Sequence, residues 1–265
     1  MVFLTMHMRT IQKHRHGFSL VELSIVLVIL GLLTGGILGG QSLIRAAELR
    51  SVGTQFAQYR TAVYTFRDKY FALPGDMQNA TAFWQSAGGN GGNAACMSAQ
   101  TTARATCNGT GDGLVTGLPD DAWAERFLAW KHLANAGLVE GSYLGRTNGA
   151  VNSYETVAGT NVPTARVGSG FFDIAYNFAS PTLFHAQSST NRNAVNMYGT
   201  QGLLNGTLTP EEAWNVDTKL DDGLPYRGML YTMLFSFINC PVSDAADATY
   251  NLQLRTKNCT MFYAF

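Results

Sequence analysis

Three groups of residues in this chain have the types and spacing to do chemistry. The first is a single carboxylate, Glu22, inside a run from Phe18 to Leu38 whose other residues are apolar or small except Ser19, Ser24 and Thr34. A carboxylate in hydrocarbon costs on the order of 2.5–3.5 kcal/mol even on lenient insertion scales, so Glu22 calls for a cationic partner. The second group is Asp217, Asp221 and Asp222, in a segment rich in turn residues. Such acids can ligate a hard cation such as calcium, or cap turns and accept backbone amides; the turn-capping reading is preferred. The third group is Cys96, Cys107, Cys240 and Cys259. Four cysteines allow three pairings, and the sequence does not choose among them. Pairing of sequence neighbours would close loops of about ten and about twenty residues, worth roughly 2–4 kcal/mol each. Neither group has CxxC spacing, so disulfides formed outside the cytoplasm are expected, with buried thiols as the alternative.

Catalytic signatures are missing. Beyond the first 17 residues the histidines are His132 and His185, and neither stands beside a nucleophile motif; GxSxG and HExxH do not occur. No lysine follows Gly88-Gly89-Asn90-Gly91-Gly92 as a phosphate loop requires. Asn108 and Asp112 lie among glycines, but their spacing fails the EF-hand pattern. The chain therefore reads as not an enzyme. Lys and Arg together number 18, as do Asp and Glu, yet Arg9, Lys13 and Arg15 precede the apolar run with no acid among them. The remainder is faintly acidic and carries no clustered basic footprint, so no nucleic-acid partner is predicted.

The elements that must position these groups follow from periodicity. Residues 18–38 are long enough as a helix to cross the ~30 Å hydrocarbon core. The basic flank before them places the N-terminus in the cytoplasm and the body outside. The run is too long for a secretory signal core, and no small-x-small cleavage site follows it. Beyond it, Leu49, Val52, Phe56, Tyr59, Val63, Phe66, Tyr70 and Leu73 alternate spacings of three and four, one apolar stripe that Pro74-Gly75 ends. Residues 74–119 read as irregular. A second helix is predicted from Asp121 to Ala136 with Asp120 as cap, its Trp123, Phe127, Trp130 and Leu133 packing in the core. Strands follow at 171–176 and 195–204, then a short helix opened by a capping box of Thr209, Pro210 and Glu212. Strands at 229–238 and 260–265 complete the sheet. The fold class is α+β.

Gly17-Phe18-Ser19-Leu20-Val21-Glu22, with a basic leader before it and an apolar helix after it, resembles the signal of type IV pilins and type II secretion pseudopilins. The resemblance implies a pilin-like fold, in which a long N-terminal helix packs its second half on a C-terminal antiparallel sheet. It divides the chain into a leader (1–17), a transmembrane segment (18–38), an amphipathic continuation (39–73) and a globular domain (74–265). It implies cleavage between Gly17 and Phe18 by a prepilin peptidase, which also methylates the new Phe18 amine. It pairs Glu22 with the Phe18 amine of a neighbouring subunit. Expected partners are that peptidase and methyltransferase, other pilin subunits, an assembly platform protein and the bacterial inner membrane, with a periplasmic or extracellular filament after assembly. The implied function is a structural subunit of a type IV pilus or similar filament. The alternatives are a secretion pseudopilin, or a minor pilin acting as adhesin or DNA-uptake factor. Some major pseudopilins bind calcium in their C-terminal loop, which is where Asp217, Asp221 and Asp222 lie. The family often has proline where this chain has Gly39. Gly31, Gly35, Gly36, Gly39 and Gly40 instead form GxxxG spacings that weaken the helix and permit close helix contact.

Overall fold

The computed structural model describes residues 19–89, 94–116, 125–147, 156–177, 192–199, 206–232, 239–243, 245 and 247–265. The chain divides at Ala46–Ala47 into two compact units. A long helix, α1 (Leu20–Tyr70), starts in the first and ends in the second.

In the first unit α1 buries nothing within this chain. Leu20, Leu32 and Leu38 are all exposed, as are the large apolar residues between them. The few polar side chains turn back on the helix: Ser24 donates to the Val21 carbonyl at 2.8 Å and Thr34 to that of Leu30 at 2.9 Å. Satisfying hydroxyls on the local backbone is what an apolar solvent demands. Among the described residues, α1 is the one helix long and apolar enough to cross a membrane.

In the second unit the same helix turns amphipathic. The predicted stripe is the buried face, with Val52, Phe56, Tyr59, Val63 and Phe66 in the core and Leu49, Tyr70 and Leu73 packed partly against it. Phe56 and Tyr59 meet Phe172 edge-to-face, each with ring centroids 5.0 Å apart, and Tyr59 meets Trp130 at 4.9 Å. The helix stops at Tyr70, earlier than the Pro74-Gly75 break, because Phe71 adopts a positive φ of 55°.

Four strands form one antiparallel sheet in the order β1 (Phe171–Asn177), β2 (Arg192–Tyr198), β4 (Met261–Ala264), β3 (Leu230–Thr232). Ile174 faces Val195, which in turn faces Tyr263, and Tyr263 faces Leu230, so the register carries a buried row across the sheet. The predicted strands thus exist with shifted limits. The second begins three residues earlier than expected, and residues 200–205 and 233–238 lie outside the described residues.

Two differences concern helices. The segment expected to be irregular holds α2 (Ala80–Trp84) and α3 (Ala94–Ser98), each a single turn. Asp217 lies in the last turn of α5 (Pro210–Leu220), not in the loop after it; the capping box of Thr209 and Glu212 opens that helix as predicted. The remaining helix, α4 (Glu125–Asn135), corresponds to the predicted 121–136, with Asp120, Asp121 and Trp123 outside the described residues. It is buried all round from Glu125 to Leu133, charged residues included. Arg126 pairs with Asp173 of β1, both fully covered, and burial lowers the Arg126 pKa to about 10. Disulfides join Cys96 to Cys107 and Cys240 to Cys259, with Cα–Cα distances of 5.9 and 5.2 Å.

Candidate functional site

Glu22 stands in the first turn of α1 and is exposed. One of its carboxylate oxygens accepts the Ser19 backbone N–H at 2.8 Å, and the Ser19 hydroxyl accepts the Val21 N–H at 3.3 Å. Ser19 is thus the N-cap, and Ser19-x-x-Glu22 is a capping-box pairing written in the sequence itself. That signal was legible and was missed. The carboxylate sits where the helix dipole favours a negative charge, yet it touches no cation among the described residues. Gly17 and Phe18 lie outside those residues.

Gly31, Gly35 and Gly39, with Gly36 and Gly40, lie along an unbroken stretch of α1. A Cβ at any of the five would meet nothing within 4 Å. Nothing packed against them in this chain requires their smallness.

Two acidic clusters occur in the second unit. Asp217, Asp221 and Asp222 can each offer one carboxylate oxygen with all three within 4.8 Å of one another. Part of the turn-capping reading is visible: Asp221 Oδ2 accepts the Met229 and Leu230 amides, and Asp222 Oδ1 accepts that of Leu224 at 2.9 Å. Gly228, at φ +72°, is needed because a side chain there would strike the Asp221 carboxylate. Asp217 is different. Its Oδ2 accepts the Tyr250 hydroxyl at 2.8 Å, while its Oδ1 is buried with no hydrogen-bond partner. Burial raises its pKa to about 7, the Tyr250 hydroxyl and the nearby Gly223 amide offset part of that, and Asp222 and Asp221 push it further up. A buried carboxylate with an unpartnered oxygen beside two more carboxylates suits a hard divalent cation, which would supply the charge the site lacks.

The second cluster, Asp76, Asp112 and Glu125, was not foreseen. Asp76 accepts the amides of Gly111, Asp112 and Gly113, and Glu125 accepts the amide and hydroxyl of both Thr110 and Thr116. Every oxygen of these two carboxylates is committed to N–H or O–H donors of one loop. Close by, His132 is buried, accepting the Gly75 amide at Nδ1 (3.0 Å) with Nε2 3.1 Å from the Cys107 carbonyl. Burial lowers its pKa to about 4, so it is neutral and carries its proton on Nε2. Both of its ring nitrogens are thus committed to backbone groups.

The prokaryotic N-terminal methylation motif matches residues 12–38. No curated protein and no solved structure matches the chain. The matched segment covers the end of the basic leader, Glu22 and the exposed apolar part of α1, and it points to a structural protein rather than an enzyme. The motif over residues 12–38 is the prepilin signal found in type IV pilins and pseudopilins.

Proposed function

We propose that this chain is a structural subunit of a type IV pilus or pilus-like filament. It is cut between Gly17 and Phe18 by a prepilin peptidase, methylated on the Phe18 amine, held in the bacterial inner membrane by α1, and assembled there with other pilin subunits by a platform protein. The observation that carries this is the coincidence of the methylation motif with an apolar helix segment whose large side chains are all exposed. Such a surface needs lipid or other helices around it. The glycines fit the same reading, since GxxxG spacing with empty space above it admits a neighbouring backbone. Glu22 is the registering group. Held by the Ser19 amide in a single subunit, it exchanges that weak partner for the cationic Phe18 amine of the next, because two charges costly alone in lipid are tolerable as a pair.

The test is the mature N-terminus by mass spectrometry, from protein made with and without a prepilin peptidase. A first peptide starting at N-methylated Phe18, seen only with the peptidase, supports the proposal. An uncut chain, or cleavage after the apolar run, overturns it. Glu22→Ala should then be processed and membrane-bound yet absent from sheared filaments; normal assembly of that variant removes the register role.

One observation favours the pseudopilin alternative: the orphaned Asp217 oxygen among three convergent carboxylates. In that reading Asp217, Asp221 and Asp222 hold a calcium ion that closes the loop after α5. Calorimetry of the chain with calcium, against the Asp217→Asn variant, decides it; no heat from either form ends the reading.

A further inference from the structure

We propose that the end of α1 and the loop after it form a binding site for an acidic sugar unit, a saccharide residue bearing a carboxylate. A cavity of about 540 Å³ lies there, lined among others by Arg67, Tyr70, Phe71, Asp76, Gln78 and Asn79. The size is in the range of small-ligand sites, about 300–1,000 Å³.

Phe71 is both strained and exposed. It is 92% exposed, and its φ of 55° is in the left-handed region that disfavours every residue with a Cβ. It occupies the place just past the helix where glycine or asparagine is the usual choice. A phenylalanine there loses backbone energy and, being exposed, gains no burial in return. Its ring is therefore not a device of the fold. The left-handed turn instead points a bare aromatic face outward at the rim of the cavity.

Two of the polar groups around it, Arg67 and Asn79, are unspent. Among the described residues the Arg67 guanidinium lies over the Tyr64 ring at 4.9 Å and has no ion pair. The contact with Tyr64 holds the guanidinium in place and leaves its N–H fork available for a carboxylate. Asn79 precedes α2, but its side chain makes no capping bond; Asn108 takes that role, accepting the Thr81 amide at 2.9 Å. The Asn79 carboxamide is left to the cavity. Gln78 is fixed there by donating to the Thr110 carbonyl at 2.6 Å, and a side chain at Gly111 would displace it.

These groups specify the ligand. An aromatic face takes the C–H face of a pyranose ring, whose positive edges meet the negative ring surface. Carboxamides in fixed positions match hydroxyl groups, which donate and accept. A guanidinium fork matches a carboxylate. A polyanion such as nucleic acid suits the site poorly, because Asp76 lines the same cavity as Arg67.

The experiment is titration of the full-length chain in detergent micelles with digalacturonic acid and, separately, with its uncharged counterpart galactobiose, followed by calorimetry. Digalacturonic acid should bind, and galactobiose at least tenfold more weakly. Phe71→Gly should lose at least tenfold in affinity while unfolding at the same temperature as the parent or higher, a pairing that a structural role for Phe71 does not produce. Arg67→Gln should erase the preference for the acid, and Val242→Ala, at an exposed residue that does not line the cavity, should change nothing. No binding of either sugar overturns the proposal, as does binding that Phe71→Gly and Arg67→Gln leave intact. If Phe71→Gly abolishes filaments and sugar binding was never seen, the ring serves a second copy of the chain and the proposal is wrong.

Discussion

The two acidic clusters look alike by proximity and differ in everything that follows. Around Asp76 and Glu125 one loop supplies a donor to every carboxylate oxygen, so the negative charge is solvated by the protein and the loop is locked by it. Around Asp217, Asp221 and Asp222 the amides satisfy one face of the group, while a buried oxygen of Asp217 has none. Three acids within a few ångströms are thus no sign of a cation site until each lone pair has been assigned. The first cluster is a finished piece of structure. The second is unfinished, and what completes it is either a proton or a cation.

The sharpest way to break this contrast is to remove the caged carboxylate. Glu125→Ala leaves the Thr110 and Thr116 amides and the Thr116 hydroxyl without their acceptor in part-buried positions and should lower stability by roughly 3 kcal/mol or more in chemical denaturation, with or without calcium. A loss under about 1 kcal/mol would mean the cage is not holding the loop.

The next effect is in pH. A carboxyl whose pKa is raised on folding to about 7 contributes stability at low pH that is lost as pH climbs toward 7, which is the Asp217 case. His132, lowered to about 4, contributes in the opposite sense: the unfolded chain binds its proton below about pH 6.5, so stability grows from pH 4 to 6.5. The parent chain should therefore show a nearly level stability across that window. Asp217→Asn should unmask a rise of roughly 3 kcal/mol between pH 4 and 6.5. A level profile in that variant would sink the assignment of opposing groups.

A smaller effect separates proton from cation. If calcium fills the Asp217 site, a concentration a hundred times its Kd should stabilise the chain by about 2.7 kcal/mol at pH 7.5, and Asp217→Asn should abolish the gain. An equal calcium response in the Asp76→Asn variant is expected, since the Asp76 and Glu125 oxygens already accept N–H or O–H donors of one loop. The smallest effect marks the floor of the comparison. Glu211 pairs with Arg255 at the surface, where both are well exposed; Arg255→Ala should change the midpoint by no more than about 1 kcal/mol.

Legibility from sequence divided along the same line of local against assembled. The signal around Phe18 and Glu22 is contiguous, so it could be read directly, as could the α1 stripe and the Thr209 capping box. Strands 171–177 and 261–264 announced themselves through apolar β-formers. What could not be read depends on partners far along the chain. Arg126 in α4 would pass for a solvent-facing residue on any helical wheel; it is buried because Asp173 meets it from β1. Asp76 and Glu125 gain their meaning only when the 110–116 loop folds over both. The convergence of Asp217 with Asp221 and Asp222 was suspected, but the orphaned oxygen arises from burial under Tyr250, which no spacing announces.

The strand order has a consequence in time. β4 is the last of the four strands to be synthesised, yet it lies between β2 and β3, so the sheet is in two pieces until it arrives. At about 5–20 residues per second, the amphipathic half of α1 waits on the order of ten seconds or more for the surface it will cover. During that interval its aromatic face is open to water. A nascent chain stalled just before Thr260 should therefore be protease-sensitive throughout the body and bind holdase chaperones, whereas one released after Ala264 should close in a single step.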